Sequence, residues 1–215
     1  MNYASLKYLL LLLMFSQIVL SQESKFDFTL AYSPTTSRLT NGEENEKSKI
    51  GHNATFRITY SAKGIIDPTV GLGFLNTGAE EFLDFSNEIF QGQIEIENIH
   101  NYNYLYLPIG AKINFSRFYF LPEIGLGVMV SNRTKQITKR PIVSDEKTVQ
   151  IISLDSEAFN ALTFPLLLSL GTDFEVGNYS LSTGVKGYYG LNQVVKTDRR
   201  NDHYFGFGLN LALNL

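Results

Sequence analysis

The sequence contains no cysteine and no tryptophan. Without cysteine, the chain can form no disulfide and offers no thiol for lipid attachment. Its aromatic residues are 12 tyrosines and 16 phenylalanines, so any aromatic girdle must be built from these two types. The formal net charge is only −3, and no stripe of basic residues is present. This composition argues against a nucleic acid as a partner.

Only one long apolar run is present, and it lies near the N-terminus. Lys7 precedes residues 8–15, which are almost entirely apolar, and Ser21 ends the segment before Gln22. A basic start, a short apolar stretch and a small residue are typical of a secretory signal peptide. We therefore expect residues 1–21 to be cleaved and residues 22–215 to form one exported domain. The alternative, an uncleaved membrane anchor, is disfavoured because polar residues interrupt the run.

Elsewhere the apolar residues recur with a period of two rather than 3.6, which predicts β-strands. In each segment, large apolar residues occupy one face, while glycine and small polar residues occupy the other. The eight predicted strands are residues 25–33, 52–61, 66–75, 103–115, 118–131, 159–174, 179–191 and 203–215.

The connections between these strands alternate in length. Three are short, at residues 62–65, 116–117 and 175–178. Four are long, at residues 34–51, 76–102, 132–158 and 192–202. Short periplasmic turns and long extracellular loops characterise barrels of the Gram-negative outer membrane. The sequence thus predicts an all-β fold, an eight-stranded antiparallel up-and-down transmembrane β-barrel with both termini in the periplasm.

A soluble barrel of the lipocalin kind would show the same alternation turned inside out. Its polar faces would point to water and carry about a quarter to a third charged residues. Within their alternating segments, residues 69–75 and 204–215, the polar faces of the third and eighth predicted strands carry no charged residue. This lack of charge favours lipid around the apolar faces and a glycine-rich interior filled by side chains.

Two stretches carry a family resemblance, YLYLPIGAKINF (residues 104–115) and LTFPLLLSLGTDF (residues 162–174). Each has an inward proline, Pro108 or Pro165, before a tight turn and a glycine-rich strand. The chain resembles the small outer-membrane barrels of OmpA- and OmpX-like architecture, and more closely the PorT-like "outer membrane protein beta-barrel domain" group. The resemblance implies an integral outer-membrane protein with no single shared activity. PorT itself is linked to type IX secretion, a role that no residue here demands.

The last strand resembles the signal by which the barrel-assembly machinery recognises its clients. Such signals usually end in an aromatic residue, whereas this chain ends in Leu215. The alternating residues that would form the signal are Phe205, Phe207, Leu209, Leu211, Leu213 and Leu215.

Charged residues on the inward faces predict ion pairs inside the barrel. Across the turn at residues 116–117, Lys112 should oppose Leu121 and lie diagonal to Glu123. We expect Lys112 and Glu123 to form an interior network with Arg57, Lys186 and Asp173, whose role is structural.

Three histidines, His52, His100 and His203, lie near the long-connection ends of predicted strands. Asp202 and His203 with Ser33 or Ser131 could imitate the triad of a lipid A-modifying barrel enzyme. The spacing of the histidines does not support a metal site. We expect no catalytic residue, no cofactor and no metal.

The predicted function is therefore a non-enzymatic envelope or surface-interaction protein that acts through long extracellular loops. Residues 76–102 are rich in acidic residues, whereas residues 132–158 carry a basic run. Expected partners are outer-membrane lipid and lipopolysaccharide, the assembly machinery, and an unknown protein at the loops. The alternatives are a lipid A-modifying enzyme, a small-solute pore and a PorT-type secretion component.

Overall fold

The computed structural model describes residues 26–40, 45–61, 65–86, 93–140, 144–153, 159–177, 179–194 and 202–215. The expected signal peptide, residues 1–21, lies outside these residues. Within the described part, no helix has the length and apolar character needed to cross a bilayer.

The described residues form eleven strands in a single antiparallel sheet. They are β1 (Phe26–Leu39), β2 (Glu46–Tyr60), β3 (Ile66–Thr77), β4 (Ala79–Ser86), β5 (Gln93–Phe115), β6 (Phe118–Arg140), β7 (Ser144–Ser153), β8 (Leu162–Thr163), β9 (Pro165–Val176), β10 (Tyr179–Gly190) and β11 (Tyr204–Asn214).

Eight of these strands close into a ring. Each pairs with the next in the order β1, β2, β3, β5, β6, β9, β10 and β11. The last strand then pairs with the first, from Thr29 opposite Asn214 to Leu39 opposite Tyr204. The predicted eight-stranded antiparallel barrel is confirmed, and closure leaves no free edge along the shared length of these strands.

Tight turns connect the ring strands at one end. Ser116 adopts a left-handed conformation with φ of 59° in the turn between β5 and β6. Gly177 has φ of 62° in the turn between β9 and β10, where glycine avoids the steric cost of a side chain. Two of the three predicted short turns are thus present within the described residues, whereas most of the third, residues 62–64, lies outside them.

The outside of the ring is apolar. Each of its eight strands presents a large apolar side chain that is 43–62% exposed, and one example per strand is Leu30, Phe56, Leu72, Ile109, Ile124, Leu170, Val185 and Leu209. The inward positions are instead mostly polar or aromatic and buried. The two faces predicted from the alternation are therefore the outer and inner faces of the barrel.

The prediction that residues 34–51, 76–102 and 132–158 are loops is wrong for much of their length, since β1 runs on to Leu39 and β2 begins at Glu46. β4 pairs with β2 and β5, while β7 pairs with the upper part of β6. We call the sheet formed by β4, residues 93–101 of β5, residues 132–140 of β6 and β7 the rim sheet. These segments mix charged residues with β-branched or aromatic ones, so they form strands without the continuous apolar face from which the barrel was predicted.

Candidate functional site

The centre of the barrel holds a buried ion pair between opposite parts of the ring. The Nε and Nη2 atoms of Arg57 donate to Oε1 and Oε2 of Glu123 at 2.6 and 3.0 Å. Arg57 comes from β2 and Glu123 from β6, and the side chains are only 4% and 1% exposed. Such a two-point pair fixes geometry, and removing one partner would leave an uncompensated buried charge.

Lys186 of β10 joins the same interior layer through hydrogen bonds. Its Nζ donates to Oδ1 of Asn53 at 2.7 Å, and Nδ2 of Asn53 donates to the hydroxyl of Tyr106 at 2.7 Å. The hydroxyl groups of Thr55 and Tyr106 are also 3.0 Å apart. These contacts connect β2, β5 and β10 across the barrel interior.

Lys112 and Asp173 form a separate pair. Nζ of Lys112 lies 2.6 Å from Oδ2 of Asp173, and Ser182 also donates to this carboxylate. The sequence placed Lys112 diagonal to Glu123, but its carboxylate partner in the structure is Asp173. The reason is that Glu123 is already held by Arg57. The pair borders a polar cavity of about 410 Å³ at the short-turn end of the barrel.

Tyrosine side chains fill the middle of the barrel. The buried set is Tyr102, Tyr104, Tyr106, Tyr119, Tyr188 and Tyr204. Ring centroids of Tyr104 and Tyr204 are 5.6 Å apart, and those of Tyr188 and Tyr204 are 6.0 Å apart. The available signal was the alternation of Tyr102, Tyr104 and Tyr106 with the outward leucines of β5.

Inward glycines provide the space for these rings. A Cβ atom on Gly73 would lie 2.3 Å from the ring of Tyr106, and one on Gly206 would lie 2.4 Å from the hydroxyl of Tyr188. Below this layer, the cavity beside Arg57 is only about 20 Å³, which is room for about one water molecule. The lumen is thus packed through its middle, an arrangement that disfavours a solute pore.

The three histidines occupy three different places. His52 bonds to the hydroxyl of Tyr32 at 2.7 Å, and His100 bonds to the hydroxyl of Thr134 at 2.9 Å. Nδ1 of His203 lies 2.9 Å from the carbonyl oxygen of Gly190. Among the described residues, no three metal-ligating side chains come together.

The serines considered as nucleophiles bond elsewhere. Ser33 donates to Oδ1 of Asn210 at 2.9 Å inside the barrel. Ser131 accepts from Nδ2 of Asn103 at 2.8 Å. His203 is stacked on Tyr189 and bonded to a backbone carbonyl, so the structure does not bring these groups into a Ser–His arrangement.

The outward face of the rim sheet is divided by charge. Among the side chains that the structure describes on this face, acidic residues lie on β4 and β5, and basic residues lie on β6 and, at Lys147, on β7. The acidic set is Glu80, Asp84, Glu95 and Glu97, and the basic set is Arg133, Lys135, Lys139 and Lys147. The two sets meet at Glu95 and Lys139, which are opposite in register and 3.9 Å apart.

The other face of the rim sheet carries a polar ladder. Asn98 donates to Glu81 at 3.1 Å, and Gln136 donates to Asn98 at 3.1 Å. His100 lies beside this ladder, with Nε2 at 3.8 Å from Oε2 of Glu81. Burial lowers the pKa of His100 below its usual 6.5, and the nearby Glu81 carboxylate only partly offsets this effect.

No protein-family model matches the sequence, and no curated protein matches it. Among solved structures, the chain is similar to a major outer membrane protein of Thermus thermophilus, with 14% identity, a TM-score of 0.41, and coverage of 88% of this chain and 98% of that chain. It is also similar to Ail, the attachment invasion locus protein of Yersinia pestis, with 8% identity, a TM-score of 0.39, and coverage of 88% and 97%.

Neisserial surface protein A is a third similar structure, with 9% identity, a TM-score of 0.37, and coverage of 89% of this chain and 97% of that chain. At these identities and scores, the likeness carries no argument about activity. The barrel is established by the strand pairing of this chain itself.

Proposed function

We propose that this chain is an integral outer-membrane β-barrel without enzymatic activity that acts through its rim sheet at the cell surface. One observation supports it most: the closed ring is apolar on the outside and polar on the inside. Arg57, Glu123 and Lys186 are buried within the ring, whereas Phe207 and Leu209 are 66% and 62% exposed.

Lipid is the medium that suits this distribution. In water, the exposed apolar belt would promote aggregation, because it is far larger than the apolar patches found on soluble monomeric proteins. In a bilayer, the same belt is solvated by acyl chains, and closure of the ring pairs the backbone groups that lipid cannot satisfy. The short turns then lie in the periplasm and the rim sheet lies outside.

The rim sheet is the part of the molecule suited to binding. It presents a divided charge pattern on one face, with acidic residues on β4 and β5 and basic residues on β6 and β7. An external partner with complementary charge would be oriented by this pattern. Candidate partners are lipopolysaccharide or a surface protein. A type IX secretion role, implied only for PorT, stays a prediction.

The first test is the gel mobility of the protein in outer-membrane fractions, with and without boiling. A folded barrel resists the detergent until it is heated, so we expect a band that shifts after boiling. The matched control is Glu123→Ala, which breaks the interior pair and should lower the temperature of the shift. An unshifted protein in the soluble periplasmic fraction would overturn the proposal.

A further inference from the structure

The outer face of the barrel is interrupted by a groove at Gly187. Gly187 points outward on β10, between Leu168 of β9 and Phe207 of β11. A Cβ atom there would meet only the carbonyl oxygen of Gly206, at 3.8 Å. A glycine in a strand weakens it, and here the space around it is open rather than needed by an interior ring.

The groove has a volume of about 720 Å³, which is in the range of ligand sites. Its lining comes from four neighbouring strands. Pro34, Thr36 and Ile50 contribute from β1 and β2, and Val185, Phe207 and Leu209 contribute from β10 and β11. Because the side chains around it are almost all apolar, the groove suits a hydrocarbon chain.

A cation lies near one end of the groove. Arg38 is two residues beyond Thr36 on the same outward face of β1, roughly 7 Å further along the strand. Its side chain makes no hydrogen bond or ion pair with the described residues. Because β1 runs toward the rim sheet, Arg38 lies between the groove and the rim.

Aromatic side chains at the level of Arg38 indicate that this part of the barrel lies at the membrane interface. Phe205 is opposite both Arg38 and Tyr189 in register. The ring of Tyr189 stacks on that of His203, with centroids 5.5 Å apart. Aromatic rings of this kind are enriched at the head-group level of a bilayer.

We propose that the groove binds one acyl chain of a phosphate-bearing membrane lipid, whose phosphate is held by Arg38. The chain lies along Gly187 between Ile50 and Phe207, and the guanidinium group donates to the phosphate oxygens at the interface. An apolar groove that ends at a guanidinium with no ion pair among the described residues matches an amphiphile with one anionic head. The inference rests on the proposed membrane location and adds a lipid site to it.

The test uses the absence of tryptophan from the chain. The mature chain carrying Leu211→Trp, next to the groove on the outward face of β11 but outside its lining, reports on the groove, and the chain carrying Leu126→Trp reports on the wall at β6. Each is placed in phosphatidylcholine vesicles that contain phosphatidylglycerol with brominated acyl chains, which quench tryptophan on contact. We expect the groove reporter to show about fivefold higher apparent affinity for phosphatidylglycerol than the wall reporter, the effect of one basic residue at an anionic lipid.

Two variants decide whether the groove and Arg38 cause this preference. Arg38→Gln should abolish it, whereas Arg117→Gln, which removes a charge at the opposite end of the barrel, should leave it unchanged. Gly187→Val fills the groove and should also remove it, whereas Val128→Phe adds bulk elsewhere on the outer wall and should not.

Equal quenching of both reporters, or a preference that survives Arg38→Gln and Gly187→Val, would overturn the lipid site. A change of oligomeric state in Gly187→Val with unchanged lipid preference would assign the groove to a second copy and also overturn it. Quenching of the Leu126→Trp reporter by brominated lipid of either head group tests insertion separately. If that reporter is not quenched at all, the proposed membrane location itself fails.

Discussion

Strands β5 and β6 run through both the barrel wall and the rim sheet. Charged residues face the interior in the wall, whereas many face outward in the rim sheet. In the wall, β5 directs Leu105, Leu107 and Ile109 outward. Further along the same strand, the outward positions become Asn101, Ile99, Glu97 and Glu95. The change occurs where the register between β5 and β6 shifts, at Asn103 and Tyr104. We infer that this bulge marks the level where lipid gives way to water.

The ion pairs of the two regions differ in the same way. Arg57 and Glu123 are almost fully buried and 2.6 Å apart, whereas Glu95 and Lys139 are about half exposed and 3.9 Å apart. The buried pair is surrounded by protein, so losing one partner is costly. The exposed pair is screened by water and salt, so its contribution is small. We therefore expect substitutions in the barrel to cost more stability than substitutions in the rim sheet.

The largest effect is expected for Glu123→Ala. It leaves the Arg57 guanidinium buried without its carboxylate, which costs about 3–5 kcal/mol. Urea unfolding of the barrel in lipid vesicles measures the loss. The double variant Arg57→Met with Glu123→Leu should recover much of it. A loss below about 1 kcal/mol would place water beside the pair and contradict the packed interior.

A charge on the outer wall should have the next largest effect. Leu168→Arg places a guanidinium on the lipid-facing side of β9 and should cost about 2–4 kcal/mol near the bilayer midplane. Thr148→Arg in the rim sheet is the matched control and should change stability by less than about 0.5 kcal/mol. If both variants lose the same free energy of unfolding in this assay, the wall and the rim sheet are exposed to the same medium, which contradicts a lipid-facing wall.

Filling an inward glycine tests the packing of tyrosine in the lumen. Gly206→Val brings a side chain into the hydroxyl of Tyr188 and should destabilise the barrel by about 1–3 kcal/mol. Adding Tyr188→Phe removes the hydroxyl but leaves the ring carbon Cζ and the carbonyl oxygen of Thr36, each 2.5 Å from the added Cβ, so it should restore only a small part of that loss. If Gly206→Val unfolds at the same urea concentration as the parent chain, the interior is not packed as described.

The rim sheet should weaken in mild acid. Burial lowers the pKa of His100 below 6.5 in the folded chain, so the unfolded chain binds a proton more readily. The stabilising effect of the neutral ring is therefore complete above about pH 6.5 and is lost as the pH falls below that value toward the folded pKa.

Amide hydrogen exchange of β4 and β5 at pH values above and below 6.5 measures this, after correction for the intrinsic pH dependence of exchange. His100→Gln should make protection of these strands less dependent on pH. Protection that falls with pH to the same extent in parent and variant would assign the effect to another group.

The smallest effect is expected for Lys139→Ala. The exposed pair with Glu95 should contribute about 0.2–1 kcal/mol, and less at high salt. Hydrogen exchange of residues 93–101 at low and high salt detects it. A loss as large as that of Glu123→Ala would contradict the ranking of the two regions.

The wall could be predicted from the sequence because outward apolar positions and inward small or polar positions alternate strictly along its strands. Every second residue must be apolar, so strands such as β11 appear directly as an alternation of Phe, Leu, Gly and Asn. The turns followed from the lengths of the connections. The inward positions of Arg57, Lys112, Glu123 and Lys186 followed from the same period of two.

The partners of these residues could not be predicted from pairing rules alone. Arg57 meets Glu123 across the lumen, from a strand that is not its neighbour in the ring, so no cross-strand register indicates the contact. Lys112 likewise reaches Asp173 on β9. The rim sheet was not predicted because its strands mix Glu, Lys, Ile and Thr. Neither face of these strands is continuously apolar, so the sequence shows no clear period of two there.

The most direct test is a scan of single cysteines along residues 205–213 of β11. Because the chain has no cysteine of its own, each label attaches only at the introduced position. A spin label at each position in lipid vesicles is exposed to oxygen, which concentrates in lipid, and to a water-soluble nickel complex. We expect oxygen maxima at Phe205, Phe207, Leu209 and Leu211, with minima at the residues between them. Maxima for the nickel complex at those same four positions would place the apolar face in water and contradict it.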